Sequence, residues 1–185
     1  MIHIIGNGES RRDINIDKLP GIKVGCNGIY LHNKVDYICA MDKFWRDKIV
    51  KETTIPLISR LHNASFQTTL EVYDGTWINT KCPYRAYCSG ITALDYMCFT
   101  NPRETFYMIG FDFGYKGEFV NHIYKGEKFG PRINGKAQNE DIFLKQYIET
   151  IKRYPRYNII WVNDSINNLG LKQISIKEYF RRIEL

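Results

Sequence analysis

The chain has no CxxC pair. Its five cysteines, Cys26, Cys39, Cys82, Cys88 and Cys98, are odd in number and widely spread. A tetrahedral zinc site wants paired ligands at short spacing, so no metal centre is expected, and free thiols in a reducing cytoplasm fit best. No apolar run approaches the length of a membrane span. Met1 runs straight into apolar residues, with no basic region before a long apolar core, so no secretory leader is expected. Repeats, low-complexity tracts and linkers are missing, which leaves residues 1–185 as one domain. The dinucleotide fingerprint fails because Arg11 stands at its third glycine, and no Gly-Lys-Ser/Thr follows to make a P-loop. Negative charge is in short supply: 20 Asp and Glu face 26 Lys and Arg, a formal +6. That balance favours acidic partners such as nucleotides, phosphorylated glycans, anionic lipid or nucleic acid without choosing among them.

What is present reads as α/β. With 185 residues, 44% apolar and 25% charged, the chain can bury a real core. Met1, Ile2, Ile4 and Ile5 predict a short buried strand that ends in Gly6-Asn7-Gly8. Further strands are predicted at Ile22–Cys26, Val35–Met41, Ile55–Ser59, Thr105–Gly110 and Asn158–Val162. Helices are predicted at Lys43–Lys51, Ile91–Phe99, Asn139–Tyr154 and Ile176–Ile183. Periodicity fails over residues 63–87, where Asp74-Gly75 and Cys82-Pro83 mark turns around β-like pieces at Glu71–Tyr73 and Thr76–Ile78. This irregular insert would make a lid or rim. Residues 114–135 form a long loop, and its length argues for a mobile, functional element at the active site. Strands alternating with helices predict a mostly parallel sheet with helices on both faces.

The chemistry-bearing residues gather at strand ends. Gly6 and Gly8 let the backbone turn sharply and approach a ligand, as the first turn of an open α/β sheet does when it binds a nucleotide. Asn7 and Asn27 end two strands twenty residues apart, and each offers a donor and an acceptor suited to a ribose, a base edge or a phosphate. Asn27-Gly28 is equally a common turn pair. Ser89 is a good helix N-cap, and Gly90 leaves the first-turn amides open to an anion. Ser10 can cap a short turn of its own. Asp42 reads first as the cap of the next helix and second as a ligand for a metal or sugar hydroxyl. His3 and His32 read as structural.

Four pieces stand in order: IIGNGES, KVGCNGIYL, YCSGITAL and YMIGFDF. Together they resemble the bacterial sialyltransferases of glycosyltransferase family 42, and more distantly the family 29 enzymes and their viral relatives. Those proteins carry Gly-Asn-Gly after strand one, Cys-Asn after strand two, Ser-Ser-Gly before a helix and Gly-Ile/Phe-Asp-Phe after the next strand. The resemblance spans Met1 to about Ser165. It implies a single Rossmann-like domain, a variant of the GT-A fold, with a CMP-sugar site and no metal. The lack of any Asp-x-Asp agrees. It also implies that Gly6, Asn7, Gly8, Asn27, Ser89, Gly90 and Asp112 hold the donor. The family's two phosphate-stabilising tyrosines map loosely onto Tyr115 and Tyr124. Its catalytic histidine aligns with Lys136, while the histidine nearest that place is His122. His suits a general base near neutral pH, so His122 is the preferred base, with Tyr115, Tyr124 and Lys136 meeting the departing phosphate. His62 is a second candidate base.

The expected activity is therefore an inverting, metal-independent glycosyltransferase that takes no cofactor beyond its nucleotide-sugar donor. Its acceptor would be a glycan or a modified nucleic-acid base, including DNA. Residues 125–156 carry eight Lys and Arg against four Asp and Glu. The wealth of Lys, Asn and Ile suits an AT-rich phage or viral genome. Two alternatives stand beside it. The Gly-Asn-Gly start also resembles archaeal-type hydroxymethylpterin diphosphokinases, whose Mg²⁺ would fall to Asp42 and Asp112. The other is a nucleotide-binding module without catalysis.

Overall fold

Ile2 and Ile4 point to one side of a strand, His3 and Ile5 to the other, and all four are buried. A strand buried on both faces needs a layer above and a layer below. The computed structural model supplies both. It describes residues 1–60, 69–72, 77–79, 88–113, 115–131, 133–136, 140–165 and 169–184. The strands are β1 (Ile2–Ile5), β2 (Ile22–Cys26), β3 (Tyr37–Cys39), β4 (Leu57–Arg60), β5 (Thr69–Val72), β6 (Trp77–Asn79), β7 (Thr105–Ile109), β8 (Asn158–Val162) and β9 (Gln173–Ile174). The helices are α1 (Lys43–Glu52), α2 (Ser89–Thr100), α3 (Glu140–Arg153) and α4 (Ile176–Arg182).

These strands form one sheet in the order β6-β5-β4-β3-β2-β1-β7-β8-β9. The seven strands from β4 to β9 in that order run parallel, while β5 and β6 continue antiparallel from β4. The chain lays β2, β3 and β4 outward on one side of β1, then returns to place β7, β8 and β9 on the other. That reversal between β1 and β7 is the point where open α/β sheets bind ligands, beyond the carboxyl ends of the strands. The fold is a Rossmann-like α/β domain.

Period-two alternation sorts the core into two layers. Ile2, Ile4, Val24, Phe106, Met108 and Trp161 pack under α2 and α3. Ile5, Ile38, Tyr107, Ile109, Ile160 and Val162 pack under α1 and α4. Helix α2 is buried all round from Ser89 to Cys98. Its Asp95 is only 3% exposed and is tied to Arg153 at 3.3 Å and to the Tyr154 hydroxyl at 3.0 Å. A carboxylate paired in this way can sit in a core that would otherwise expel it.

Several boundaries moved. β3 is shorter than residues 35–41, and β9 has only two residues, too few to leave a periodic signal. Within the stretch expected to be an irregular insert, β5 and β6 are regular strands, β5 paired to β4 and β6 paired to β5. Much of 63–87 lies outside the described residues, as does His62. Asp42 does occupy the cap position of α1, but its side chain makes no cap bond. Ser10 lies inside a short 3-10 turn, Glu9–Arg11, whose cap position belongs to Gly8. In α4 the rule holds: Ser175 accepts the Glu178 amide at 3.1 Å. Among the described residues no helix is long and apolar enough to cross a membrane.

His3 is structural, as expected. Its Nε2 donates to the Pro20 carbonyl at 2.7 Å, so the Tyr179 hydroxyl donates to Nδ1 at 3.0 Å. Burial pushes its pKa down to about 4. The folded value lies below the unfolded value near 6.5. Between those limits the unfolded chain holds the extra proton, so the stabilisation is complete above pH 6.5 and is lost as pH falls toward 4. Thermal melts should show Tm dropping steadily from pH 6.5 to 4.5, with His3 adding up to about 1.4 kcal/mol per pH unit. His3→Gln should reduce this slope without abolishing it, since His122 is shifted down to about 4 as well, and an unchanged slope would show that His3 contributes nothing to it.

Candidate functional site

The turn after β1 is built against the exit of β7. The Gly6 amide donates to the Ile109 carbonyl and the Gly8 amide to the Gly110 carbonyl, both at 2.8 Å. A Cβ on Gly6 would lie 2.5 Å from the Gly110 oxygen, and one on Gly8 would lie 2.6 Å from Asp112 Oδ2. Gly110 itself has φ +70°. These glycines let two strand ends close on each other, a demand separate from ligand approach.

Asp112 then sits at a junction. Its Oδ2 accepts from Asn121 Nδ2 at 2.6 Å and from the Ser10 amide at 3.3 Å, and its Oδ1 accepts from Asn163 Nδ2 at 3.2 Å. Donors from three separate segments thus hold one carboxylate. Asn7 spans a second gap. Its Nδ2 donates to the Cys26 carbonyl at 3.2 Å, joining the ends of β1 and β2. Asn27 holds a left-handed φ of +53°, which Asn tolerates better than most residues. Its Oδ1 accepts from the Ser89 hydroxyl at 3.1 Å, and that hydroxyl accepts the Met41 amide at 3.2 Å. Ser89 is therefore the first residue of α2 and clamps the ends of β2 and β3, while the expected cap position belongs to Cys88, with no side-chain cap bond.

Above these strand ends lies a cavity of about 600 Å³. All seven residues expected to hold a donor, Gly6, Asn7, Gly8, Asn27, Ser89, Gly90 and Asp112, line it. Of the four expected catalytic residues, His122 and Tyr124 line it and Tyr115 and Lys136 do not. Lys136 is exposed and forms an isolated antiparallel bridge with Phe119. The loop reaches the site because the Ile123 amide donates to the Asn7 carbonyl at 2.8 Å.

That tether sets His122 and Tyr124 side by side. His122 Nδ1 accepts the Tyr124 amide at 3.1 Å, which leaves the proton of the neutral ring on Nε2. Burial, then the nearby Arg11 charge, lowers its pKa to about 4. At neutral pH His122 is thus an uncharged hydrogen-bond donor through Nε2. The Tyr124 hydroxyl accepts from Arg11 Nη2 at 2.6 Å, and its ring stacks on His32 at 4.3 Å. Burial raises its pKa above the ordinary tyrosine value, with Arg11 opposing. His32 is a wall residue of the cavity and pairs with Glu127 at 3.0 Å.

The excess positive charge is not concentrated on the wall. Among the described residues the lining carries Asp42, Asp112 and Glu127 beside Lys128. No cluster of three or more His, Cys, Asp or Glu side chains with metal-ligand spacing occurs among the described residues. Sequence reasoning missed Arg11, Asn121 and Asn163. Arg11 and Arg12 are neighbours in sequence, yet one is 3% exposed and the other lies in solvent, and no periodic pattern tells them apart.

Gly8→Ala should push its new methyl into the Asp112 carboxylate and cost roughly 1–3 kcal/mol, as overpacking does. For a domain of this length that is a fall in Tm of roughly 2–10 °C. An unchanged melting temperature would mean that this turn does not close on Asp112. No protein-family model matches the chain, and neither a curated protein nor a solved structure matches it.

Proposed function

We propose that the cavity binds a nucleotide sugar and that the protein is a glycosyltransferase of the sialyltransferase-like, inverting and metal-independent kind, on a GT-A variant of the α/β fold. One observation carries this reading. Residues 6–8, 27, 89–90 and 112 are far apart in sequence, sit on four different elements and line one cavity at the β1/β7 reversal. They are also the residues that the four ordered motifs single out.

An inverting transfer needs donors on the departing phosphate and one group to take the acceptor's proton. The start of α2 at Ser89-Gly90 presents the positive end of a helix dipole to the cavity. His122 Nε2 and the Tyr124 hydroxyl supply directed donors. Nδ1 of His122 is engaged by the Tyr124 amide, so His122 serves better as a donor than as the base. Asp42, at the exit of β3, lines the cavity and spends no hydrogen bond on capping α1. In this reading its carboxylate accepts the proton. The acceptor is a glycan hydroxyl in this reading, with a hydroxylated base in DNA as the second acceptor class.

A Mg²⁺-dependent diphosphokinase is the second reading, favoured by one observation: Asp42 and Asp112 line the same cavity. Magnesium commonly uses one or two carboxylates plus substrate phosphates.

A thermal-shift panel of CMP, CDP, UDP, GDP and ATP, each with EDTA or Mg²⁺, separates the two. A ligand at a hundred times its Kd stabilises by about 2.7 kcal/mol, or roughly 5–10 °C here. CMP or CDP should shift the melt and keep doing so in EDTA. A shift seen only with ATP and Mg²⁺ would replace the transferase with the kinase. Asp42→Asn should then abolish turnover of the donor while leaving the CMP shift in place, and retained turnover would remove Asp42 from the base role.

A further inference from the structure

We infer that Arg11 is the fixed positive charge behind the ligand's phosphate, acting on it through the Tyr124 hydroxyl. This rests on the nucleotide reading of the cavity and locates the phosphate within it.

Arg11 is only 3% exposed. Its Nε donates to the Gly6 carbonyl at 2.7 Å, and its Nη2 to Tyr124 Oη at 2.6 Å and to Asn7 Oδ1 at 3.4 Å. The guanidinium carbon lies 5.3 Å from the centre of the Tyr124 ring. All of these acceptors are neutral, and among the described residues Arg11 has no carboxylate partner. The acid nearest in sequence, Glu9, is paired with Arg12 and Lys125. Asp112 is held by Ser10, Asn121 and Asn163. A guanidinium does not lose its proton in a protein, so burial cannot neutralise it. A buried charge without a counter-ion is costly, and ligand anions are one way to supply the counter-ion.

The place of that anion follows from the partners. Gly6, Asn7 and Tyr124 are all cavity-wall residues, while Arg11 lies behind them. The Tyr124 hydroxyl accepts from Arg11 and donates to Asn33 Oδ1 across 3.3 Å, a long bond. A phosphate oxygen is a stronger acceptor than a side-chain amide. When one arrives, the hydroxyl proton turns from Asn33 to the phosphate, while Arg11 keeps donating to the same hydroxyl oxygen. Each bond of such a chain polarises the next. His122 adds a second donor from Nε2. Arg11 is thus a positioning residue: it orients and polarises Tyr124 and does not itself touch the ligand.

The test is titration calorimetry on the full chain with three probes: CMP, cytidine and inorganic pyrophosphate. Arg11→Met and Tyr124→Phe should each weaken CMP about tenfold or more and leave cytidine within about twofold. The double variant should lose no more than the worse single one, because both changes cut the same chain. Tyr124→Phe removes one oxygen and keeps the ring, so it answers the question even if Arg11→Met folds poorly. Wild-type affinity for CMP in Tyr124→Phe would overturn the inference and leave the nucleotide reading standing. Equal losses for CMP and cytidine would also overturn it, since a purely structural Arg11 predicts that result. Arg11-dependent binding of pyrophosphate with no binding of CMP or cytidine would do the reverse, keeping Arg11's role and rejecting the nucleotide. Binding of none of the three by the wild-type chain would overturn both.

Discussion

The contact between the end of β1 and the end of β7 is the constraint on which the rest depends. Two strands of a parallel sheet diverge where they leave the ladder, yet here their exits stay joined for three more residues. Gly6 and Gly8 keep donating to Ile109 and Gly110, and a Cβ on either would collide with the Gly110 carbonyl or the Asp112 carboxylate. The closure brings Asp112 over the Gly8 backbone and presses Arg11 against Gly110, where a Cβ would meet Arg11 Cδ at 2.8 Å. It also decides where the reversal in strand order opens. Without it, the carboxyl edge of the sheet would be a groove with no floor.

Around that floor, polar side chains do what backbone ladders cannot. Asn7 joins β1 to β2, Ser89 and Asn27 join β2, β3 and α2, and Asn163 joins β8 to Asp112. These contacts use short, neutral amides and hydroxyls, which satisfy strand ends at lower desolvation cost than charges would. The consequence is a cavity whose walls are held together by the same side chains that line it. Asn7, Asn27 and Ser89 are therefore part of the frame as well as of the cavity wall. Tyr124 and His122 come instead from the loop, and Tyr124 is fixed to the frame through Arg11, Asn33 and His32.

The legible parts share a cause. Strands such as β1 and β7 were visible because burial on both faces leaves continuous apolar runs, and each run stopped at glycine or asparagine. That Gly6, Asn7, Gly8, Asn27 and Asp112 would meet at one cavity was legible because they follow strand ends, and strand ends of a parallel sheet share one edge. The loop was not legible in the same way. Which loop residues reach the cavity depends on hydrogen bonds between distant segments: Ile123 to Asn7, 116 residues apart in sequence, Asn121 to Asp112, and Arg11 to Tyr124. Such bonds carry no local signature, and Lys136 lies outside the cavity, bridged to Phe119. The state of His122 depends likewise on tertiary contacts: the Tyr124 amide engages Nδ1, and burial beside Arg11 keeps the ring neutral.

By itself the sequence determined the element order, the two-faced burial of the central strands and the glycines and asparagines at their ends. Each of these follows from interactions within a few residues, whose period and steric demands are written into the local chain. Tertiary structure alone decided which of two adjacent arginines turned inward, which donors hold Asp112, and which loop residues face the cavity. Those outcomes depend on hydrogen bonds and charges brought together by the closing of β1 on β7, and such energies exist only after distant segments meet.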